Sequence, residues 1–264
     1  MLGKTVMSEF ERDESLVIPV KMSKEELRTT LSKVRLRGGW RHNINFSNGL
    51  STNELETGKP WSDRPLNKIK MVERQFPDFA KRGGTVLDIG SNIGYNSLYL
   101  AHQYGMAVTG IDVTQSHLEV SRLFAELSGL SNAEFMIGDA ETFLRPDSYD
   151  LVVHFGTLYH LRNVIRALET TSKNLKIGGT LLLETQCHGE PGSMLSRYVR
   201  GFNNDPSNWW ALGDGAMREI LKYCGFDNIS EVFYWTNPSL DGMYRIIWKM
   251  DKVRPIEKAY DDIK

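Results

Sequence analysis

The sequence predicts an α/β protein: a doubly wound, mostly parallel seven-stranded sheet with an antiparallel last strand, plus an N-terminal helical accessory layer. Three observations carry this. The apolar run Val86-Leu-Asp-Ile89 passes through Gly90 and Gly94 straight into a helical pattern. Two later apolar runs end in acids, Asp112 and Asp139. Strand-like and helix-like patterns then alternate along the chain, the arrangement that builds parallel sheets covered by helices.

In order, residues 1 to about 20 read as an arm. Ser23-Lys-Glu-Glu26 has the form of a capping box opening a helix, with Leu27, Leu31 and Val34 on one face. Gly38-Gly39 ends it, and Asn48-Gly49 marks a turn between short extended pieces. A second helix is expected from Pro65 to Phe76, proline being tolerated in the first turn. Residues 1–80 thus form an arm and accessory segment placed to act as a lid.

The core, 81–250, begins with strand 86–89 and a helix from Ile93 to Tyr104. Strand 107–112 precedes a helix whose buried stripe is Val120, Leu123, Phe124 and Leu127, ending near Gly129. Strands 133–140 and 149–154 follow. Leu161, Ile165 and Leu168 predict the next helix, and Gly178-Gly179 the start of strand Thr180 to Glu184. Residues 185–213, rich in Gly, Asn, Pro and Trp, read as an insertion and second lid segment. Met217, Ile220, Leu221 and Cys224 mark a helix stopped by Gly225. Strands near 229–235 and 243–250 complete the sheet, and 251–264 read as a polar tail.

Composition fits a soluble globular chain: 264 residues, 41% hydrophobic, 25% charged, net charge −1. No apolar run approaches the length of a membrane span, and the first ten residues lack a secretory core. Two cysteines, Cys187 and Cys224, cannot frame a disulfide scaffold, so a reducing, cytoplasmic setting is expected. Six scattered histidines offer no metal-ligand spacing. Seven basic residues between Lys21 and Arg41 fit either a solvated helix face or contact with phosphate or RNA.

A strand–glycine turn–helix aims backbone N–H groups and a helix N-terminus at an anionic ligand. Gly90 is expected to permit the turn and Gly94 to let a ligand approach the backbone. Asp112, 22 residues after Gly90, stands where dinucleotide-type folds place a ribose-binding acid. Here the chain resembles the Rossmann-like, class I S-adenosylmethionine-dependent methyltransferases. Asp88, Gly90 and Gly94 match that family's first motif, Asp112 its ribose acid, and Asp139-Ala140 its adenine-contacting pair. Asn92 replaces the middle glycine of a nicotinamide fingerprint. The resemblance implies S-adenosylmethionine as cofactor, held by Asp88, Gly90, Ser91, Asn92, Gly94, Asp112, Asp139 and Ala140.

Phe155-Gly-Thr-Leu-Tyr-His-Leu161 and Asn204-Asp-Pro-Ser-Asn-Trp-Trp210 are similar to a narrower group. It contains the tRNA wobble-uridine carboxymethyltransferases and uncharacterised relatives, some associated with glycan and natural-product pathways. The basic Trp-Arg-Lys-Gly-Pro-Phe motif of the wobble-uridine enzymes is missing, which favours the ordinary methyl donor over a carboxylated one.

His160 and Tyr159 follow the fourth strand, at the ligand end of such sheets, and are the candidate catalytic pair. His160 is the candidate proton acceptor, with a helix-start histidine bonding local backbone as the alternative. His188 follows the fifth strand and is a candidate substrate contact. Arg245 would bind an anionic substrate group or form a structural ion pair. Trp209 and Trp210 would stack on a base or sugar or anchor their loop. His154 reads as structural, and Cys187 and Cys224 as small buried residues. The leading reading is O- or N-methylation of a small metabolite, a sugar or phosphorylated precursor. The alternatives are a tRNA-modifying enzyme, a nicotinamide-dependent oxidoreductase or a non-catalytic cofactor-binding partner. The oligomeric state is not legible in the sequence.

Overall fold

The computed structural model describes residues 17–36, 40, 42–55, 64–198, 200–236 and 242–257, with the backbone alone at 64–67 and 203. The arm before Val17, Arg37, Gly38-Gly39, Arg41 and residues 258–264 lie outside them. The chain divides into two compact units, the first ending at Gly138 and the second beginning at Asp139.

In the first unit, β1 (Val17–Ile18) pairs parallel with β2 (Asn45–Phe46). Between them, α1 (Lys24–Ser32) has its capping box: the Ser23 hydroxyl accepts from the Glu26 N–H, and the Glu26 carboxylate accepts from the Ser23 N–H. Leu27 and Leu31 turn inward and are fully buried. The rings of Trp40 and Phe46 pack on Phe124, with centroids 6.0 and 5.4 Å away. Lys24 and Arg28, two members of the basic stretch, both pair with Glu54.

The second helix, α2 (Arg64–Gln75), precedes β3 (Thr85–Ile89), whose last four residues are all buried. A continuous buried run is what a strand covered on both faces requires. β4 (Ala107–Asp112) pairs parallel with β3, and β5 (Ala133–Ile137) parallel with β4. Crossovers run through α3 (Tyr95–Tyr104) and α4 (Gln115–Leu127).

The second unit starts with β6 (Tyr149–Phe155), a short 3-10 turn over Leu158–His160, and α5 (Val164–Asn174). The α5 stripe differs from the expected one. Leu161 precedes the helix and Ile165 is 48% exposed, whereas Val164, Ala167, Leu168 and Thr171 are buried. β7 (Leu175–His188) is also longer than expected at both ends. Its pairing to β6 jumps from Tyr149–Leu175 to Leu151–Thr180, so Gly178-Gly179 sits in an irregularity within the strand. The irregular segment therefore begins at Gly189. It carries the antiparallel pair β8 (Arg197–Tyr198) and β9 (Trp210–Ala211) and returns to β7 where Leu212 bridges Cys187.

After α6 (Asp214–Tyr223), β10 (Phe226–Thr236) and β11 (Met243–Lys252) run antiparallel to each other, and β11 antiparallel to β7. The strand order is β3-β4-β5 in the first unit and β10-β11-β7-β6 in the second, seven strands in all. The last strand extends two residues beyond its expected end. Lys252 is 4% exposed because its ammonium donates to the carbonyls of Ser172 and Leu175. Among the described residues, no helix is long and apolar enough to cross a membrane.

Candidate active site

In the first unit, the ends of β3 and β4 hold the glycine turn. Gly90, Asn92 and Gly94 all adopt positive φ, at 71°, 51° and 81°. Asparagine tolerates this conformation better than other side-chain-bearing residues, which explains why Asn92 can stand where a glycine is usual. Its side-chain oxygen accepts the Ile93 N–H at 2.9 Å.

Two features fix the shape of the turn. A Cβ on Gly94 would meet the Phe135 ring at 3.0 Å and Ser121 at 3.1 Å, so the missing side chain makes room for packing from β5 and α4. The amides of the turn are themselves bonded within the protein. Gly90 and Ser91 donate to the Ile111 carbonyl, Asn92 to Asp112, Ile93 to Asn92, and Gly94 to the Ser91 carbonyl. These bonds hold the turn's shape. What it leaves over is the Ser91 hydroxyl, buried and without a partner among the described residues.

Asp112 spans the turn and its own strand end. One carboxylate oxygen accepts the Asn92 N–H at 2.9 Å and the other the Thr114 N–H at 2.8 Å, with His117 at 3.6 Å. Burial works to raise its pKa, but His117 and the two amides outweigh it and hold the carboxyl below its ordinary value. Each oxygen keeps acceptor capacity for a further hydroxyl. Asp88 is buried deeper, at 1% exposure, and accepts from the Ser97 hydroxyl at 2.6 Å. Burial pushes it up to about 6 against the Ser97 hydrogen bonds. The first-unit accessory segment also reaches the start of α3, where the His42 ring lies edge-on to Tyr95 at 6.4 Å.

In the second unit, Asp139 accepts the Glu141 N–H at 2.8 Å, and Ala140 is 6% exposed. Beyond β6 lies a cluster of polar side chains. Arg245 on β11 donates to Glu184 on β7 at 2.7 Å and to the Tyr159 hydroxyl at 3.1 Å. Glu184 is fully buried. Burial works against the Arg245 charge, but the Glu184 carboxylate more than compensates and holds its pKa above the ordinary value. Tyr159 is raised, chiefly by burial. The His160 ring lies 4.4 Å from that of Tyr159, and its Nδ1 is 2.9 Å from the Ser207 hydroxyl. Burial is the main cause that lowers the His160 pKa, so near neutral pH the ring is an uncharged base.

The structure thus brings Tyr159, His160 and Arg245 together and shows Arg245 in an ion pair. His188, the last residue of β7, has its Nε2 3.4 Å from the Arg197 guanidinium on β8. Trp209 and Trp210 anchor their loop, through the Trp209 N–H to the Tyr159 carbonyl and the Trp210 ring N–H to the Arg162 carbonyl. Both cysteine thiols are buried with raised pKa values, Cys224 to about 12, which leaves neither as a thiolate. His154 is fully buried and pushed down to about 4.

Sequence reasoning passed over Glu184, Asp205 and Ser207. A glutamate closing the apolar run Thr180-Leu-Leu-Leu was a readable signal, since a buried acid demands a partner. Asp205 and Ser207 stand within Asn204–Trp210, a motif whose spacing alone assigns them no role.

Residues 80–212 match the methyltransferase-domain family. A tRNA U34 carboxymethyltransferase from Desulfotalea psychrophila is 36% identical over 130 residues, 49% of this chain and 39% of that protein. Phosphoethanolamine N-methyltransferase 1 from Arabidopsis thaliana is 30% identical over 184 residues, 68% of this chain and 33% of that protein. The chain therefore spans well under half the length of these two curated relatives. Among solved structures, the N-terminal domain of EvdMO1, obtained with SAH and D-fucose, superposes with a TM-score of 0.68 at 20% identity, covering 88% of this chain and 97% of that one. That likeness shows a shared fold.

Proposed function

We propose that this chain, which belongs to the methyltransferase-domain family and is an S-adenosylmethionine-dependent class I methyltransferase, methylates an oxygen or nitrogen of a small-molecule acceptor. A sugar or a phosphorylated precursor is the favoured class. The observation that carries the reading is His160, an imidazole kept uncharged by burial beside Tyr159 at the end of β6. Proton removal from a hydroxyl or ammonium acceptor needs such a base.

The residues present fit the methyl donor. The unpartnered Ser91 hydroxyl and the spare acceptor capacity of Asp112 suit a ligand rich in hydroxyl and amino groups. In this reading Asp88, Gly90, Ser91, Asn92 and Gly94 serve its methionine end, Asp112 its ribose, and Asp139 with Ala140 its adenine. When bound, the donor supplies an electrophilic methyl carbon whose bond pair returns to sulfur as the acceptor's lone pair forms the new bond. His160 takes the acceptor's proton on a ring nitrogen. Tyr159 and Arg245 shape the acceptor site, and His188 is an outlying contact to it.

The relatives divide over substrate: one is a phosphoethanolamine N-methyltransferase and another acts on tRNA. The pairing of Lys24 and Arg28 with Glu54 removes two cations from the basic stretch that would serve RNA, and supports the small acceptor. Incubation with methyl-labelled donor and fractionated cell extract tests the choice. Label in the small-molecule fraction is expected, and label confined to RNA would establish the tRNA reading instead.

A further inference from the structure

Asp205-Pro206-Ser207 stands in the segment between β8 and β9, 47 residues from His160 in the sequence. Two anchors fix this segment against the turn that carries His160: the Trp209 N–H donates to the Tyr159 carbonyl, and the Trp210 ring N–H to the Arg162 carbonyl. The Asp205 carboxylate caps its own turn by accepting the Ser207 N–H at 2.9 Å, and the Ser207 hydroxyl also lies in hydrogen-bond contact with it. The same hydroxyl is 2.9 Å from His160 Nδ1.

A serine hydroxyl has one proton to give. An ionised carboxylate only accepts, so that proton goes to Asp205. The hydrogen bond between Ser207 and His160 must then be donated by the ring, which places a proton on Nδ1. We infer that Asp205 and Ser207 are positioning residues that fix His160 as its Nδ1–H tautomer and leave the Nε2 lone pair bare to accept the acceptor's proton. The inference deepens the proposed function and rests on its assignment of His160 as the base.

The balance of the step is simple. The acceptor's proton moves to Nε2, its electron pair stays on the acceptor atom, and the ring becomes an imidazolium. The Nδ1–H to Ser207 to Asp205 chain then stabilises that cation with the nearest carboxylate charge. In the opposite tautomer Nε2 already carries a proton and cannot serve, which is how loss of an orienting partner disables a histidine base. The charged and titratable groups around the ring are Asp205, Glu184, Arg245 and Tyr159. Asp205 and Glu184 raise its pKa, whereas Arg245 lowers it.

The test reads the tautomer directly, without donor or acceptor. Full-length protein carrying ¹⁵N-histidine is examined by NMR at pH 8, with the His160 signals assigned from His160→Asn. The expected pattern is a protonated Nδ1 and a bare Nε2 in the wild type and in Ser207→Thr, which keeps the hydroxyl. Ser207→Ala should move the ring toward the Nε2–H form. A bare Nδ1 in the wild type, or no change in Ser207→Ala, overturns the inference.

Turnover of the labelled acceptor fraction gives the second readout. Ser207→Ala should lower kcat about 10- to 100-fold, less than the full general-base contribution, with donor affinity unchanged. Asp205→Asn removes a charge that raises the His160 pKa, so the acid limb of the kcat/KM profile should move to lower pH. A changed tautomer with unchanged turnover upholds the hydrogen-bond assignment and refutes His160 as the base.

Discussion

Asp112 in the first unit and Glu184 in the second are both buried carboxylates, yet they bind different partners. Asp112 gives its oxygens to main-chain amides, those of Asn92 and Thr114. Glu184 gives one to a guanidinium, which in turn donates to Tyr159. The contrast extends to their surroundings. The glycine turn is closed by its own main-chain N–H groups, two bonded to the Ile111 carbonyl and one to Asp112, whereas the Tyr159 cluster is a chain of side chains that each depend on the next. A turn knit by its backbone keeps its shape when one side chain is trimmed. A linked cluster loses several contacts for every group removed, and it leaves room for its chemistry to be tuned by substitution.

The largest expected effect falls on the cluster. His160→Asn should lower turnover by about 10²–10⁴-fold if the ring is the general base, while calorimetry shows donor affinity nearly unchanged. Retained turnover would strip the second unit of its reactive group. Next comes Arg245→Met, which takes the guanidinium away from the buried Glu184 carboxylate. Breaking a buried pair in this way costs about 3–5 kcal/mol, and adding Glu184→Gln should recover part of it because the buried charge is gone. Urea unfolding of the single and double variants measures both. A loss confined to acceptor KM, with stability intact, would show that Arg245 serves an anionic substrate group more than the fold.

Two buried titrating groups separate the units by the sign of their pH dependence. His154 is pushed down to about 4, so the folded state refuses a proton that the unfolded chain accepts. Its contribution is complete above the ordinary histidine value and is lost as pH falls toward 4. Asp88 is raised to about 6, so its contribution is complete below the ordinary aspartate value and is lost as pH rises through 6. Each shift corresponds to about 3 kcal/mol, and between pH 4 and 6 the two oppose one another. Removing one should expose the other. His154→Leu should become less stable as pH rises from 4 to 6, and Asp88→Asn more stable over the same interval. Urea midpoints at pH 4, 5 and 6 decide, and slopes of the same sign in both variants would refute the opposition.

The same contrast governs how much could be read from the sequence. Contacts of the glycine turn join residues close along the chain: Asp88 to Ser97 spans 9 positions and Asn92 to Asp112 spans 20. Spacing of that size is visible as a motif, and it located the turn, the acids and the alternating elements. Contacts of the cluster span 47 positions from His160 to Ser207, 61 from Glu184 to Arg245 and 86 from Tyr159 to Arg245. No local pattern encodes such pairings, so the sequence leaves Arg245 between a substrate contact and an ion pair and gives Glu184 no role. Even within the turn, the role of Gly94 depended on Phe135, a residue of another strand.

The smallest effects test whether the turn is held by its backbone. Gly94→Ala puts a Cβ 3.0 Å from Phe135 at a φ of 81°, where side-chain-bearing residues are strained. It should cost about 1–2 kcal/mol. Asn92→Gly acts the other way. It relieves the φ of 51° but deletes the bond from the Ile93 N–H to the asparagine side chain and loosens the unfolded chain. These contributions oppose, and the Asn92 N–H to Asp112 bond survives because it belongs to the main chain. Stability should stay within about 0.5 kcal/mol of wild type, and donor affinity by calorimetry should barely change. A large loss of either in Asn92→Gly would mean that the Asn92 side chain, and not the backbone, holds the turn, and the contrast between the units would fail at its first member.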